Sequence, residues 1–342
     1  MKTMSLHIII LSIWMAFGAC SRNANEETST RPEQDTVQSN FRTVKYLYSM
    51  AGKKTLSGIH NREPNSTPAK WTNEIFTTTG RYPALWSGDF LFQQDNIDNR
   101  QKMIDEAVKQ WEKGAVINLM WHACNPANDE PCAWDDGKGV LSKLTDAQWK
   151  ELCTDGTALN LKWKGRVDEI CIYLKQLQDK GVEVLWRPMH EMNQGKFWWG
   201  GRPGAEGTIK LYRMLHDYMS KTKGLSNLIW VWDIQDFGSL AGDAVSYHPG
   251  EDYYDIAALD VYDGSGYTQA KYEIMLRVAK GKPIAIGECD KLPTVAELRN
   301  QSSWIFFMSW SELTYEKNNN ADLQQLYNAD NVITLEKMPG WK

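Results

Sequence analysis

Two glutamates stand directly after short apolar runs, in stretches that are otherwise rich in polar side chains. Glu191 closes the stretch 186–191, WRPMHE, and Glu288 follows the apolar run 283–286. Two carboxyl groups about 5–5.5 Å apart can cleave a glycosidic bond with retention, because one protonates the leaving oxygen while the other attacks the anomeric carbon. The pair therefore predicts a glycoside hydrolase, although spacing alone leaves open which glutamate takes which role.

The two roles need different protonation states at neutral pH. The acid must keep its proton, so its pKa has to be raised by a negative neighbour or by apolar walls. The nucleophile must stay ionised, which donors such as Arg187 or Tyr262 would favour. A zinc protease is the competing interpretation of His190-Glu191, but Gln194 replaces the second histidine of an HExxH motif. We therefore expect no metal and no cofactor in the reaction.

Eight short apolar runs predict the strands that must hold these side chains. Continuous runs bounded by Gly, Pro or Asn fit buried parallel strands better than half-exposed antiparallel ones. Helical spacing of apolar residues lies between several of them, for example over 104–111 and 167–174. The runs are Thr55–Ile59, Pro83–Trp86, Ala115–Met120, Val182–Trp186, Leu228–Trp232, Ile256–Val261, Pro283–Ile286 and Trp304–Met308.

This alternation of strands and helices predicts an α/β fold, a single-domain (β/α)8 TIM barrel over residues 39–342. Gly114 and Gly181 are natural helix stops, each just before the next strand. A doubly wound open sheet is the alternative, but no GxGxxG motif follows an early strand.

Polar and aromatic residues cluster where such a barrel carries its chemistry, at the C-terminal ends of the strands. The eight predicted ends carry His60, Asp89, Trp121-His122, the stretch 187–191, Asp233, Asp260 with Tyr262, Glu288 and Trp310. Any one of them could be a hydrogen-bonded loop residue. Their recurrence at matching ends instead predicts one site at one mouth of the barrel.

Several ordered motifs resemble glycoside hydrolase family 26, the β-mannanase family. The stretch 186–200, WRPMHEMNQGKFWWG, is similar to the family's acid/base region, which has a histidine where related barrels have an asparagine. The stretch 247–262 is similar to its Pro-Gly-Asp segment and Asp-x-Tyr strand. Further matches are Trp121-His122 with Asn125-Pro126, Lys282-Pro283 before Glu288, and 307–310, FMSW. The likeness covers about residues 40–338.

The resemblance implies that Glu191 is the acid/base and Glu288 the nucleophile of a retaining hydrolase of β-1,4-mannan and manno-oligosaccharides. It also implies that Tyr262 hydrogen-bonds the nucleophile and that Trp310 forms the floor under the sugar. The complete set of expected substrate-binding residues is His122, Arg187, His190, Trp198, Trp199, Asp260, Tyr262 and Trp310. The sequence departs from the family at Lys196, where an aromatic residue is usual, and at Ser311, where an arginine is common.

Three alternatives remain open at this stage. The same mechanism could act on another β-glycan, either mixed-linkage glucan or β-1,3-xylan, as it does in other branches of the family. A non-catalytic sugar-binding lipoprotein would be expected to lack at least one of the two carboxyl groups, and both are present. The long stretch 124–160 could also wall off one end of the cleft, which predicts release of mannobiose from chain ends.

The N-terminal residues predict a bacterial lipoprotein signal over 1–20 and a flexible tether over 21–38. Lys2 precedes the apolar stretch 6–17, and Gly18-Ala19 lead to Cys20, the expected site of lipidation. An ordinary secretory peptide is the alternative. The signal predicts a lipid-anchored protein of the bacterial cell envelope, facing the periplasm or lying on the outer-membrane surface, whose membrane contact is made by the anchor alone.

Net charge and cysteine count restrict the possible binding partners of the protein and the pairing of its cysteines. The net charge of −5 and the absence of a basic stripe argue against a nucleic-acid partner, and we expect a monomer. Five cysteines remain after Cys20, so at least one does not pair within the chain. Cys124 and Cys132 could form a disulfide in an oxidising compartment, and zinc is the weaker alternative because no CxxC is present.

Overall fold

Eight parallel strands form the closed barrel at the centre of the computed structural model, which describes residues 39–62 and 64–341. Each strand pairs with its sequence neighbours, and β8 returns to β1 in parallel register, with Leu56 opposite Phe306. The fold is therefore the predicted (β/α)8 barrel. The strands are β1 (Thr55–His60), β2 (Leu85–Asp89), β3 (Val116–Trp121), β4 (Val184–Pro188), β5 (Leu228–Gln235), β6 (Ile256–Val261), β7 (Ile284–Cys289) and β8 (Trp304–Trp310).

All eight predicted apolar runs are strands, but seven of the strands continue beyond the C-terminal end of the run. The strand β4 reaches Pro188 rather than Trp186, and β7 reaches Cys289 rather than Ile286. The extensions carry polar residues, Arg187 and Glu288 among them, which an apolar pattern does not include. They lie at the mouth of the barrel, where the site is formed.

Helices surround the barrel and bury their apolar faces against it. In α4, the residues Met103, Ile104, Ala107 and Trp111 are buried, which follows the helical spacing read from the sequence. The helices are α1 (Arg42–Met50), α2 (Lys70–Thr79), α3 (Gln94–Asp98), α4 (Arg100–Glu112), α5 (Asp146–Leu152), α6 (Ala158–Asp179), α7 (Thr208–Asp217), α8 (Leu240–Ser246), α9 (Gln269–Ala279), α10 (Val295–Asn300), α11 (Leu313–Lys317) and α12 (Asn320–Tyr327).

The lower half of the barrel interior is apolar and the upper half is polar. Because side chains alternate along a strand, Leu185 and Arg187 of β4 both point inwards. Leu185 packs in an apolar cluster with residues such as Ile229 and Ala285, while Arg187 lies among buried carboxylates nearer the mouth. The apolar layers therefore form a rigid base beneath the polar side chains.

A short ninth strand was not predicted from the sequence. This strand, β9 (Val332–Ile333), pairs in parallel with the start of β1 outside the closed barrel. Near the C-terminal end of the described chain, Trp341 stacks on Trp111 with ring centroids 4.8 Å apart. These contacts lie away from the strand ends that carry the site.

The cysteines follow the pairing that their spacing suggested. Cys124 and Cys132 form a disulfide in the loop after β3, while Cys153, Cys171 and Cys289 are free and buried. The predicted signal over 1–20, including Cys20, and the predicted tether over 21–38 lie outside the described residues. No helix within residues 39–62 and 64–341 has both the length and the apolar character needed to cross a membrane.

Candidate active site

The two glutamates face each other across the mouth of the barrel. One carboxylate oxygen of Glu191, one of Glu288 and one of Asp260 all lie within 4.8 Å of one another. Glu191 is 3% exposed and Glu288 is 5% exposed, so water reaches little of either side chain. The spacing fits a retaining glycosidase and leaves too little room for the water that an inverting enzyme places between its carboxyl groups.

A cavity of about 460 Å³ opens directly above the two carboxyl groups. It is large enough to take part of a sugar chain, and its wall mixes aromatic side chains with a few polar ones, as ligand sites usually do. The lining residues used below are His122, Trp134, His190, Glu191, Lys196, Phe197, Tyr262, Glu288 and Trp310.

A bulge in β7 turns Glu288 towards this cavity. Leu259 of β6 pairs with Ile286, but the next residue, Asp260, pairs with Glu288, so Gly287 has no partner in the ladder. An extra residue of this kind shifts the alternation of side chains and re-aims those that follow. A Cβ atom at position 287 would lie 2.4 Å from Asp233 Oδ2 and 2.6 Å from Asp260 Oδ1, which leaves room for glycine alone.

Arg187 joins the carboxylates beneath the cavity. Its Nη1 donates to Asp233 Oδ2 at 2.7 Å and to Asp260 Oδ2 at 2.8 Å, and its Nη2 donates to Glu288. Burial opposes the charge of this guanidinium, but the three carboxylates outweigh burial and raise the pKa of Arg187. The guanidinium therefore stays charged and stabilises an ionised Glu288, as a nucleophile requires.

Burial also raises the pKa of both Asp233 and Asp260, against the opposing effect of Arg187. Both aspartates share one guanidinium in a buried site of low dielectric, which disfavours the ionisation of both at once.

Tyr262 makes the second hydrogen bond to the expected nucleophile. Its hydroxyl donates to Glu288 Oε1 at 3.1 Å, which is the contact implied by the family resemblance. Burial, followed by the charge of Glu288, raises the pKa of Tyr262, so the phenol keeps its proton and remains a donor. The backbone N–H of Tyr262 donates to Asp236 Oδ1 at 2.9 Å, which fixes the start of this loop.

Glu191 lies in an environment that keeps a carboxylic acid protonated. Burial and then the charge of Glu288 raise its pKa to about 8, while Lys196, whose Nζ lies 3.7 Å from Glu191 Oε2, acts in the opposite direction. This buried Oε2 has no hydrogen-bond partner among the described residues. At neutral pH the group therefore carries the proton that a general acid must donate.

The backbone at Glu191 is unusual and is held by a neighbouring strand. Its φ is 49°, in the left-handed region that side chains other than glycine rarely adopt. Its N–H donates to Asp233 Oδ1 at 2.9 Å. Asp233 therefore links both halves of the site, because its other oxygen binds the arginine that holds Glu288. Strain of this kind persists only where surrounding contacts enforce it, and it is common at active sites.

Two histidines form one wall of the cavity beside Glu191. The rings of His122 and His190 lie 4.5 Å apart, and His122 Nδ1 is hydrogen-bonded to Asp89 Oδ2 at 2.6 Å. Burial alone would raise the pKa of Asp89, but His122 and His60 outweigh it and hold that pKa well below its ordinary range. Burial and then His122 lower the pKa of His190, so this ring is neutral, and its Nδ1 has no partner among the described residues.

Trp310 lies where the resemblance implied a floor for the sugar. It lines the cavity at the end of β8 and stacks on His60 with ring centroids 4.2 Å apart. His60 Nδ1 is hydrogen-bonded in turn to Ser87 Oγ at 2.7 Å. The indole is therefore supported from below, which leaves its other face for the cavity.

Four predicted substrate-binding residues do not line the cavity. Trp198 and Trp199 are each 1% exposed and pack behind it, where their indole N–H groups donate to the backbone carbonyls of Ala123 at 2.8 Å and His190 at 3.0 Å. Arg187 and Asp260 lie below the cavity floor, where Arg187 contacts Asp260, the other two carboxylates and Met120 Sδ. In this structure the four residues support those that line the cavity, and direct contact of these four with a sugar stays a prediction.

Sequence reasoning missed three aromatic residues that line the cavity, which are Phe92, Trp134 and Phe197. Phe197 stacks on Trp199 with ring centroids 4.4 Å apart, and it lies one position before the two tryptophans that were selected. Trp134 is 41% exposed and follows shortly after Cys132, whose disulfide to Cys124 holds the start of this long loop. Its place in a long loop after β3 was the available signal, but a loop pattern does not say which way a side chain points.

Comparison with known proteins gives one consistent family. The family model described as glycosyl hydrolase family 26 matches residues 32–337. The chain is 31% identical, over 87% of its length, to a mannan endo-1,4-beta-mannosidase of Thermothelomyces thermophilus. It is 28% identical, over 90% of its length, to one of Bacillus subtilis, of which it covers 88%.

Solved structures agree. The structure of GH26A from Muricauda sp. MAR_2010_75 superposes with a TM-score of 0.81 and 36% identity, covering 86% of this chain and 95% of that one. A β-mannanase from a symbiotic protist of the termite Reticulitermes speratus, complexed with gluco-manno-oligosaccharide, gives a TM-score of 0.75 and 28% identity, over 87% and 93% of the two chains. By contrast, the chain spans only 61% of the Thermothelomyces thermophilus protein.

Proposed function

Because the chain belongs to glycosyl hydrolase family 26, we propose that it hydrolyses β-1,4-mannosidic bonds in mannan and manno-oligosaccharides with retention. The observation that carries the proposal is the pair Glu191 and Glu288, whose nearest carboxylate oxygens lie within 4.8 Å in a buried cleft. The choice of mannan is supported by the relatives, which are named as mannan endo-1,4-beta-mannosidases. No cofactor is part of this proposal.

In the first step, an oxygen of Glu288 attacks the anomeric carbon as Glu191 gives its proton to the departing glycosidic oxygen. The carbon–oxygen bond to the leaving sugar breaks, and an ester between Glu288 and the remaining sugar forms. In the second step, ionised Glu191 takes a proton from a water molecule, whose oxygen attacks the same carbon. The ester then breaks and restores the carboxylate of Glu288.

Arg187 and Tyr262 would keep the nucleophile ionised and correctly aimed before the first step. The attack removes the charge of Glu288, and Asp233 and Asp260 continue to balance the guanidinium at 2.7 and 2.8 Å. The network therefore tolerates both the charged and the ester state of Glu288 without moving Arg187.

The sugar would lie on Trp310, because C–H groups on a pyranose face pack well against an indole ring. Its hydroxyl groups would meet His122 and His190. The unpaired Nδ1 of neutral His190 is a free polar atom in the described structure and can accept or donate according to its tautomer.

Replacing either glutamate tests the assignment. Glu288→Ala should abolish hydrolysis of linear mannan while mannotetraose still binds in calorimetry, whereas the control Glu273→Ala, on the exposed face of α9, should behave as wild type. Glu191→Ala should lose mannan hydrolysis but retain turnover of aryl β-mannosides with good leaving groups, with azide restoring the second step. Mannan hydrolysis by Glu288→Ala at the wild-type rate would refute the proposal.

Retention itself is measured by proton NMR of the product during the first minutes of hydrolysis. A β-anomer that appears first and then mutarotates supports the double displacement. An α-anomer that appears first would show inversion, and the role of Glu288 as nucleophile would have to be abandoned.

Attack within the chain is the default proposal, since the relatives are named as endo-acting. Release of mannobiose from chain ends is a second candidate, and one observation favours it. The stretch between Cys124 and Asn160, which includes α5, brings Trp134 into the cavity wall, so this stretch would also close one end of the cleft. Products on linear mannan decide the matter: mannobiose alone from the start supports closure, and a spread of oligomers removes it.

The same assay run on mixed-linkage β-glucan and β-1,3-xylan tests the choice of sugar.

We propose in addition that Cys20 is lipidated and that the protein is a monomer anchored to the bacterial cell envelope. Labelled palmitate should be incorporated by the full chain but not by Cys20→Ala, and a chain that lacks residues 1–20 should elute without detergent at the mass of one copy. Label in the variant, or a dimer mass, would contradict these assignments.

A further inference from the structure

Lys196 brings a positive charge to the cavity wall beside Glu191. Its Nζ lies 3.7 Å from Glu191 Oε2 and 4.9 Å from the centre of the Phe197 ring. The lysine side chain is 44% exposed, whereas that of Glu191 is 3% exposed. A separation of 3.7 Å is too long for a hydrogen bond but short enough for charge attraction. The ammonium therefore acts on the carboxylate without occupying the oxygen that exchanges the proton.

On the premise of the proposed function, we propose that Lys196 is a positioning residue for the second step of the reaction. Its ammonium favours the ionised form of Glu191, which must take a proton from water before the sugar–enzyme ester can be hydrolysed. The first step needs protonated Glu191 instead, so the ammonium of Lys196 must favour the ionised form without preventing protonation.

The other groups around Glu191 supply little positive charge to stabilise its ionised form. Carboxylates face Glu191 from three strands, and the guanidinium of Arg187 is already shared among those same carboxylates. Among the residues that the structure describes, Lys196 is the cation that forms an ion pair with Glu191 itself. The titratable and charged groups around Glu191 belong to five strands and the loops after them. They are His122 after β3, Arg187 of β4, His190 and Lys196 of the loop after β4, Asp233 of β5, Asp260 of β6, Tyr262 of the loop after β6, and Glu288 of β7.

The loop that carries Lys196 is built to a fixed shape. Lys143 Nζ donates to the backbone carbonyls of Gly195 and Phe197, on either side of Lys196. A Cβ atom at Gly200 would lie 2.3 Å from the carbonyl oxygen of Gln194, so the loop folds back on itself more tightly than another residue would allow. The backbone of Lys196 is therefore fixed, which keeps the ammonium close to Glu191.

The sign of the effect follows from the charge. Burial and Glu288 raise the pKa of Glu191 to about 8, and Lys196 limits that rise. Removal of the ammonium should raise the pKa further, because it removes a charge that favours the ionised form. An ion pair with one exposed partner is modest in strength, so the expected shift is about half a pH unit, which is about a three-fold change in the ionised fraction.

Three variants test the proposal: Lys196→Met, Lys196→Arg and the control Lys210→Met. Lys210 lies on α7 and pairs with Glu206 at 2.6 Å, so Lys210→Met removes one charge away from the site. The dependence of kcat/KM on pH is measured with mannotetraose. A dinitrophenyl β-mannobioside supplies the second readout, because its leaving group needs little acid assistance and kcat then reports the second step.

We expect Lys196→Met to move the alkaline limb of kcat/KM upwards by about half a pH unit. On the activated substrate, the acidic limb of kcat should move upwards by about the same amount, which is about a three-fold loss of kcat below that limb. Lys196→Arg should restore both values, and Lys210→Met should match wild type. An unmoved alkaline limb in Lys196→Met, or a change in KM alone, would overturn the proposal. A wild-type enzyme that hydrolyses no β-mannoside would overturn the proposed function first and this inference with it.

Discussion

Gly287 supports the site from a position where no side chain fits, and its replacement by alanine makes the sharpest test of the buried network. The added Cβ would lie 2.4 Å from Asp233 Oδ2, 2.6 Å from Asp260 Oδ1 and 3.0 Å from the Cβ of Ala258. Ordinary contacts at these positions exceed 3 Å, so both carboxylates would have to retreat by several tenths of an ångström or more. They cannot do so independently, because both hold Arg187.

The expected cost has two parts. Insertion of a methyl group into a packed interior typically costs about 1–3 kcal/mol of folding free energy, and partial loss of the buried ion pairs adds to it, so we expect a loss of about 2–4 kcal/mol. Displacement of Arg187 also moves Glu288, and a misplacement of about 1 Å at a reacting group costs about 100-fold in rate. We therefore expect Gly287→Ala to lose about 100-fold in kcat/KM per folded molecule.

The assays are urea unfolding followed by tryptophan fluorescence, and mannotetraose kinetics below the unfolding transition. Gly165→Ala is the matched control, because no heavy atom lies within 4 Å of its built Cβ and it lies inside the helix α6. This control should be as active as wild type and more stable by about 0.5–1 kcal/mol. A Gly287→Ala enzyme with wild-type kcat/KM would refute the idea that the carboxylates beneath the cavity hold the nucleophile in place.

Three further predictions concern individual side chains. Glu191→Gln should raise the melting temperature at pH 7. The pKa of Glu191 is raised to about 8 in the folded protein, so wild-type stability falls as pH rises from about 4.5 to 8, and glutamine removes that loss. Equal melting curves of wild type and variant at pH 7 would contradict this prediction. Tyr262→Phe should lower kcat/KM about 10–100-fold by removing a hydrogen bond to charged Glu288, and an unchanged kcat/KM would argue against the bond's role. Trp134→Ala should raise KM for mannotetraose about ten-fold with kcat unchanged, while Phe76→Ala, also at an exposed aromatic residue, should leave KM as it is.

The fold could be predicted because each strand is buried on both faces and is therefore a nearly continuous apolar run. The boundary errors have the same origin. Arg187 and Glu288 belong to strands, but they are polar, and hydrophobicity ends a strand where its polar C-terminal residues begin. The short strand β9 could not be found, because two residues, Val332 and Ile333, are too few to show a period.

The glutamates could be selected because strand order alone brings the ends of β4 and β7 to one mouth of the barrel. The direction in which a side chain points was harder to predict than its position in the chain. Trp198 and Trp199 are large aromatic residues in the right loop, yet their indole N–H groups bind backbone carbonyls behind the cavity. Phe197 has no polar atom to satisfy, and it forms the wall instead. Which neighbour turns inwards depends on hydrogen-bond partners that come from distant strands, and a linear pattern does not contain them.

The site concentrates features that destabilise a folded chain, and this concentration is itself an argument for function. Within the described residues, Glu191 Oε2 and His190 Nδ1 at the cavity wall are both buried without a hydrogen-bond partner. A buried unsatisfied polar atom costs about 1–3 kcal/mol, and the left-handed backbone at Glu191 adds to that cost. An apolar barrel interior would avoid all of these costs. Their persistence at one mouth, above an apolar base, is best explained if a substrate supplies the missing partners, since hydroxyl groups of a sugar can both donate and accept where these atoms point.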